Sequence, residues 1–310
     1  MGKVGVSTRP KLPSLLSVSL KRLIMTTPLP SLPIIIFDTT LRDGELTPGV
    51  QFTIQQKMQL AKLLEEMGVD VIEAGYPGAF RKDFDALFMI SKHVKSATIC
   101  GLANSKPDEI IDVALAIKPS ANGRIHVYTP VAPANQLHLQ EHESLNLIRE
   151  SVKLARNYRD DVEWTGFNAF HSDRDFLCRA VETAIQSGAT TVNIPDTLGD
   201  ATPESFGELI QAVIDRVPNI AQATIAVHCH NDRNLAVANS IAALDVGVRQ
   251  IECAINGLGA RKGNADLVQV VEAIIDHPSY HTTINRECLN STSQLLIEMT
   301  GIQSPFKSLP

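Results

Sequence analysis

The sequence is short of aromatic residues. Phe, Trp and Tyr make up 5% of its 310 residues, with a single Trp, while 44% are hydrophobic. Its core must therefore be mostly aliphatic. No run approaches the roughly 18 consecutive apolar residues of a membrane span, so no transmembrane helix is expected. Cysteine is sparse and ill-suited to a disulfide framework. The five, at positions 100, 178, 229, 253 and 288, are odd in number and include no Cys-x-x-Cys. That is reduced, intracellular usage. Acid is missing from the front of the chain. Residues 1–37 carry Lys3, Arg9, Lys11, Lys21 and Arg22 and no Asp or Glu. The whole chain has 28 basic and 34 acidic residues, which leaves the remainder at −11. An acidic body argues against nonspecific nucleic-acid binding, and no nucleic-acid or membrane partner is expected. The basic head over residues 1–32 reads as a disordered leader, or as an over-long start with Met25 as the initiator. Localisation is then cytoplasmic, or an organelle stroma or matrix if residues 1–32 are a transit peptide.

No GxGxxG follows the first apolar strand pattern, which tells against a doubly wound dinucleotide fold. What is there is a regular alternation of short apolar runs and longer helical patterns. Strands are expected at 34–38, 69–74, 97–102, 124–128, 161–165, 190–194, 224–230 and 249–254. Segments of 3.6-residue periodicity between them include 53–67, 108–117, 144–158, 173–187, 203–216, 234–246 and 265–276. Thr53 with Gln56 forms a capping box. Gly68, Gly188 and Gly247 each close a helix before a strand. Eight such units in about 245 residues are the size of a (β/α)8 TIM barrel. The expected organisation is a barrel over 33–280 and a short helical tail over 281–310, the start of a truncated lid region.

In such a barrel the chemistry gathers at the C-terminal ends of the strands. Arg42 and Asp43 follow strand 1, Glu73 ends strand 2 and His126 lies on strand 4. Thr197 follows strand 6, His228 and His230 end strand 7, and Asn256 and Asn264 follow strand 8. His228 and His230 alternate to one face of their strand, and Cys229 between them points away. Two imidazoles with a carboxylate and amide oxygens make a mixed N/O site suited to a catalytic divalent ion rather than a structural zinc. A guanidinium at Arg42 beside that carboxylate can stabilise an alkoxide forming on a keto acid. Glu73 reads as a base or as a buried acceptor. Thr197 reads as a carboxylate donor or a turn cap. Asn264 can be the N-cap of the helix that follows.

These residues carry a resemblance. Asp38-Thr-Thr-Leu-Arg-Asp-Gly-Glu45, Val71-Ile-Glu-Ala-Gly-Tyr-Pro77, Asn193-Ile-Pro-Asp-Thr-Leu-Gly199, His228-Cys-His-Asn-Asp232 and Asn256-Gly-Leu-Gly-x-Arg-x-Gly-Asn264 resemble the DRE-TIM metallolyases. The likeness is greatest to the 2-isopropylmalate, homocitrate and citramalate synthases, and runs from about residue 34 to 300. It implies a TIM barrel holding Mn, Mg or Zn through Asp43, His228, His230 and Asn264. Arg42 would be the oxyanion stabiliser, and Thr197 and His126 would touch the keto acid. The implied reaction is a Claisen condensation of acetyl-CoA, as co-substrate, with a 2-oxo acid, followed by thioester hydrolysis. That is an acyltransferase of amino-acid biosynthesis, leucine biosynthesis included, acting as a homodimer.

The sequence departs from that pattern in places. The strand-5 end of the family reads like Glu-Phe-Ser-Pro-Glu-Asp-Ala-x-Arg, and here it is Glu163-Trp-Thr-Gly-Phe-Asn-Ala-Phe-His171. Phe167 replaces an acid and cannot accept a proton. Leu46 stands for a glutamine, Ala260 for an acid, and Arg233-Asn234 for Leu/Phe-Gly. The synthases continue into a helical subdomain whose histidine works with the strand-5 glutamate, beyond the length read here. Leu46, His126, Tyr128, Phe167 and Asn168 are expected to shape the substrate pocket, and the exchange to Phe167 leans it toward a hydrophobic side chain. Two other readings stand beside the synthase. One is a lyase or aldolase on the same barrel, although the hydroxymethylglutaryl-CoA lyase branch has a cysteine in the strand-8 loop and residues 257–263 have none. The other is an impaired paralogue that binds metal and keto acid.

Overall fold

A computed structural model describes residues 1–2, 31–132 and 139–302. Most of the leader reading falls on residues 3–30 and lies outside the described residues. The eight expected strands form one closed, all-parallel barrel in chain order. They are β1 (Ile35–Asp38), β2 (Val71–Glu73), β3 (Thr98–Asn104), β4 (Gly123–Pro130), β5 (Asp161–Phe167), β6 (Thr191–Asp196), β7 (Thr224–Cys229) and β8 (Gln250–Cys253). The first and last strands close the ring, with Ile36 opposite Ile251 and Asp38 opposite Cys253. The open doubly wound sheet is thereby excluded.

Helices α1 (Ile54–Met67), α2 (Arg81–His93), α3 (Pro107–Ala116), α4 (Glu141–Arg156), α5 (Arg174–Gln186), α6 (Pro203–Arg216), α7 (Ala236–Asp245) and α8 (Leu267–Asp276) follow their strands. None is long and apolar enough to cross a membrane. The Thr53–Gln56 capping box opens α1 and Gly68 closes it at φ 89°, a left-handed conformation that only glycine takes without strain.

Strand alternation divides the residues between two environments. Val162 and Trp164 on β5, Val227 and Cys229 on β7, and Ile251 and Cys253 on β8 are buried in the aliphatic layer between barrel and helices. Cys229 thus faces away from the histidines. The intervening Glu163, His228, Gln250 and Glu252 are also buried and bond across to one another or to other strands. Residue 124 shows how far this goes: Arg124 Nη1 donates to both Glu163 and Gln250, at 2.9 and 2.8 Å. The five cysteines are free thiols.

A final helix, α9 (Glu287–Thr300), lies within the expected helical tail. It buries Leu289, Thr292 and Leu296 and packs on α1. Its Ser293 bonds Asn256 in the loop after β8. The helix is therefore fastened to the barrel at the end where the polar residues collect.

Candidate active site

The first turn after β1 carries Arg42 and Asp43 into a cavity of about 1040 Å3 at the C-terminal mouth of the barrel. His228 and His230 reach the same point from β7. Asp43 Oδ2 lies 3.4 Å from His228 Nε2 and 3.9 Å from His230 Nε2. The two Nε2 atoms are 3.3 Å apart. The other nitrogen of each ring is taken, Nδ1 of His228 by Glu252 at 2.8 Å and Nδ1 of His230 by the Gly263 carbonyl at 3.3 Å. Both rings are thus turned so that Nε2 faces Asp43. The three residues form a cluster of metal-ligand geometry, with donor atoms all within 4.8 Å of one another.

Asn264 joins them through a β-bridge to His230. The cap of α8 is Asp266, whose side chain accepts the Gln269 amide, so the N-cap reading of Asn264 is overturned. Its Nδ2 donates to the Leu258 carbonyl at 2.9 Å, while its buried Oδ1 has no hydrogen-bond partner. A buried carbonyl oxygen without a partner is costly, and it is the atom a cation would take. Ala260, standing for the family acid, touches the cluster by its backbone. Its N–H points at Asp43 Oδ1 at 3.4 Å, a contact that does not depend on the lost side chain.

Arg42 is held by Glu73, with Nε 2.6 Å from Glu73 Oε2 and Nη1 3.5 Å from Asp43. Glu73 also accepts from Thr39 at 2.7 Å and lies 2.9 Å from His126 Nδ1. Burial opposes its charge, yet Arg42, His126 and Thr39 bring it down to about 2. A carboxylate so held is a poor base near neutrality. The geometry makes Glu73 the acceptor that fixes Arg42, against its reading as a catalytic base. His126 has both nitrogens engaged, the second 2.6 Å from Thr165 Oγ1. Thr165 accepts from Asn193 Nδ2 at 2.9 Å, and Asn193 also donates to Glu252 at 2.6 Å. A continuous ring of hydrogen bonds therefore runs from Arg42 through Glu73, His126, Thr165, Asn193 and Glu252 to His228. Glu252 had no place among the expected site residues. Its signal was a Gln250-x-Glu252 alternation of polar residues in an otherwise apolar strand.

The charges are arranged around the cluster. Burial works against ionised Asp43, but Arg42, His228 and His230 hold it far below the usual carboxylate range. Burial alone would lower His228, and its bonds to Asp43 and Glu252 carry it up to about 10. Burial and the charge of His228 push His230 down to about 4. Asp43 and Glu252 thus favour positive charge at this point of the site.

Thr197 and Asn168 stand on the opposite rim. Thr197 Oγ1 accepts the Asn168 amide at 3.0 Å, which leaves its own proton free to be donated. Asn168 has φ 63°. The other non-glycine residues at positive φ among those described are Asn234, Asn256 and Arg261. All four lie in loops at this mouth, where strained backbone tends to collect around function. Arg261, in the loop after β8, ties it to the loops after β7 and β6, pairing with Asp232 at 2.9 Å and donating to the Thr197 carbonyl at 2.6 Å.

Fold and site together define a class: a (β/α)8 barrel with a two-histidine, one-carboxylate cluster and a partly buried arginine at its C-terminal mouth. Comparison makes this specific. The HMGL-like family model matches residues 33–296, and the chain belongs to that family, the DRE-TIM barrels. It is similar to the 2-isopropylmalate synthases of Methylorubrum populi, 46% identical over 85% of this chain and 52% of the relative, and of Aquifex aeolicus, 44% identical over 86% and 52%. The chain spans about half the length of the curated relatives it matches. Among solved structures it is similar to the Bacillus subtilis HMG-CoA lyase, with TM-score 0.76 and 21% identity over 90% of this chain and 97% of that one. An Acinetobacter baumannii HMG-CoA lyase in complex with coenzyme A and 3-methylmalate gives TM-score 0.75 and 21% identity, covering 88% and 93%. At that identity the structures establish the fold alone.

Proposed function

We propose that this barrel carries the catalytic site of a divalent-metal-dependent acyltransferase that condenses acetyl-CoA with a 2-oxo acid, as a 2-isopropylmalate synthase does. The observation that carries the reading is the convergence of Asp43, His228 and His230 beside Arg42, in a chain 46% identical across the barrel to such a synthase.

The residues fit a divalent ion. Asp43 Oδ2, His228 Nε2 and His230 Nε2 would hold it, with Asn264 Oδ1 as the further donor. Two imidazoles with carboxylate and amide oxygens admit Mn, Mg or Zn. When bound, the ion supplies Lewis-acid polarisation of the acid's oxygens.

The remaining work falls to the protein. Arg42 stabilises the negative charge that grows on the ketone oxygen as the new carbon–carbon bond forms. Glu73 is its positioning partner. Thr197 offers its hydroxyl proton to the acid's carboxylate, and His126 and Asn168 bound the space that the acid occupies. Phe167 takes no part in proton transfer. In the net reaction the acetyl methyl carbon loses a proton and bonds to the carbonyl carbon of the acid. Water then cleaves the thioester and frees the CoA thiol. By the same resemblance the assembly is a homodimer, which light scattering of the purified chain tests.

A lyase reading has weaker support. The two lyase structures named above are 21% identical to this chain, and the loop after β8 has no cysteine at 257–263. The deciding experiment is free-thiol release from acetyl-CoA across a panel of 2-oxo acids, with and without added Mn2+. Metal-dependent release with at least one acid is expected. No release with any acid sinks the reading, and metal and acid binding without turnover replaces it with the impaired paralogue.

A further inference from the structure

Phe167 is, with Leu46 and Phe80, an exposed large hydrophobic side chain lining the cavity. It ends β5, where Val162, Glu163, Trp164, Thr165 and Gly166 are all buried, yet it is 44% exposed and lines the cavity. A lone exposed phenylalanine on an outer surface needs no explanation. Inside a cavity of about 1040 Å3, the same ring is apolar area that a bound ligand can cover.

The ring belongs to a wall. Its centroid lies 5.9 Å from that of Tyr128 on β4, tilted at 53°. Tyr128 meets Tyr76 edge-on at 6.2 Å. The wall is also fixed in place. Tyr76 donates to buried Glu109 Oε2 at 2.7 Å, so in the 3.2 Å contact between the two hydroxyls Tyr128 is the donor. Glu109 is itself pinned by the Asn104 amide at 2.9 Å. Tyrosines whose rotamers are already locked lose little entropy when a ligand covers them.

Its position is set by strand register. Tyr128 pairs with Thr165 and Pro130 with Phe167. Phe167 therefore stands two residues beyond Thr165, on the same face of β5. Thr165 is the member of the hydrogen-bond ring that contacts His126 and Asn193. Polar groups for an acid's head and an aromatic face for its tail are thus stacked along one strand.

We propose that Tyr128 and Phe167 form the side-chain subsite for the 2-oxo acid, and that they select an aryl side chain over a small branched aliphatic one. The inference rests on the 2-oxo-acid reading above and deepens it. An aryl group at Phe167 gains both buried area and an aromatic pair, together worth about tenfold in affinity. In the family pattern an acid stands here, and a carboxylate would disfavour the same ring.

The test is calorimetric titration of the full chain, loaded with Mn2+, with 2-oxo-3-phenylpropanoate and with 3-methyl-2-oxobutanoate. Wild-type protein should bind the aryl acid about tenfold more tightly. Phe167→Ala should erase that preference and leave the branched acid within about twofold. Because Phe167 is half-exposed, a circular-dichroism spectrum suffices to confirm folding of the variant. Wild-type protein that binds both acids equally, or prefers the branched one, overturns this inference and leaves the 2-oxo-acid site standing. So does a Phe167→Ala variant that weakens acetyl-CoA and not the aryl acid. Binding of neither acid overturns the 2-oxo-acid reading and this inference with it.

Discussion

Glu252 lies 2.8 Å from Nδ1 of His228 and so turns the opposite nitrogen toward Asp43. A carboxylate behind a ligating histidine sets its tautomer and its basicity. Glu252→Gln removes the charge and keeps the shape. It should weaken Mn2+ binding on the order of ten- to a hundredfold, read by titration of chelator-stripped protein. Unchanged affinity would remove Glu252 from the site.

Arg42 makes a different prediction. Arg42→Lys keeps the charge but loses the fork that reaches Glu73 and Asp43 together. Turnover should fall on the order of 10²–10³-fold while Mn2+ binding is retained. Steady-state kinetics with a parallel metal titration separates the two effects. A loss of metal with unchanged turnover per bound ion would assign Arg42 to the site's assembly alone.

The barrel and half of its site were legible in the sequence, for a physical reason. Arg42-Asp43 and His228-x-His230 are each contiguous or one residue apart, so local spacing alone puts them at strand ends on one face. The helix Arg81–His93 lacked that legibility: Phe80 at its N-cap offers no capping oxygen. Glu252 and Asn193 were hidden because their roles depend on partners on other strands. Asn264 was ambiguous because an amide before a helix can cap it, and only the Asp266 cap settled the matter. Glu73 could be separated into acceptor or base only once three donors were seen around it.

Glu163 predicts a pH dependence of stability. Burial and the nearby Glu252 charge raise it to about 7, against the pull of His126 and Arg124. The folded state therefore favours its protonated form. That contribution is fully present below the unfolded carboxylate value of about 4.5 and is lost as pH rises through about 7. Glu163→Gln should flatten the wild-type decline between pH 5.5 and pH 8 by on the order of 1–3 kcal/mol, measured by urea unfolding at both pH values. Parallel pH profiles for the two proteins would contradict the assignment.

Gly263 sits at φ 89°, and a Cβ there would overlap the Gly257 carbonyl oxygen. Its own carbonyl accepts from His230 Nδ1 and the Asn231 amide. Gly263→Ala should open the loop after β8, costing at least about 1 kcal/mol of stability and weakening Mn2+ binding more than in a control, Gly207→Ala. Gly207 has nothing within 4 Å of an added Cβ. Equal effects of the two substitutions would mean that the loop does not shape the site.

The measurement closest to the central claim is product mass analysis with acetyl-labelled acetyl-CoA, a mixture of 2-oxo acids and chelator-stripped protein resupplied with Mn2+. The expected product is a hydroxy acid carrying both labelled acetyl carbons, formed only with metal and lost in His228→Ala. CoA release without a carbon–carbon product, or the same product in His228→Ala, would contradict it.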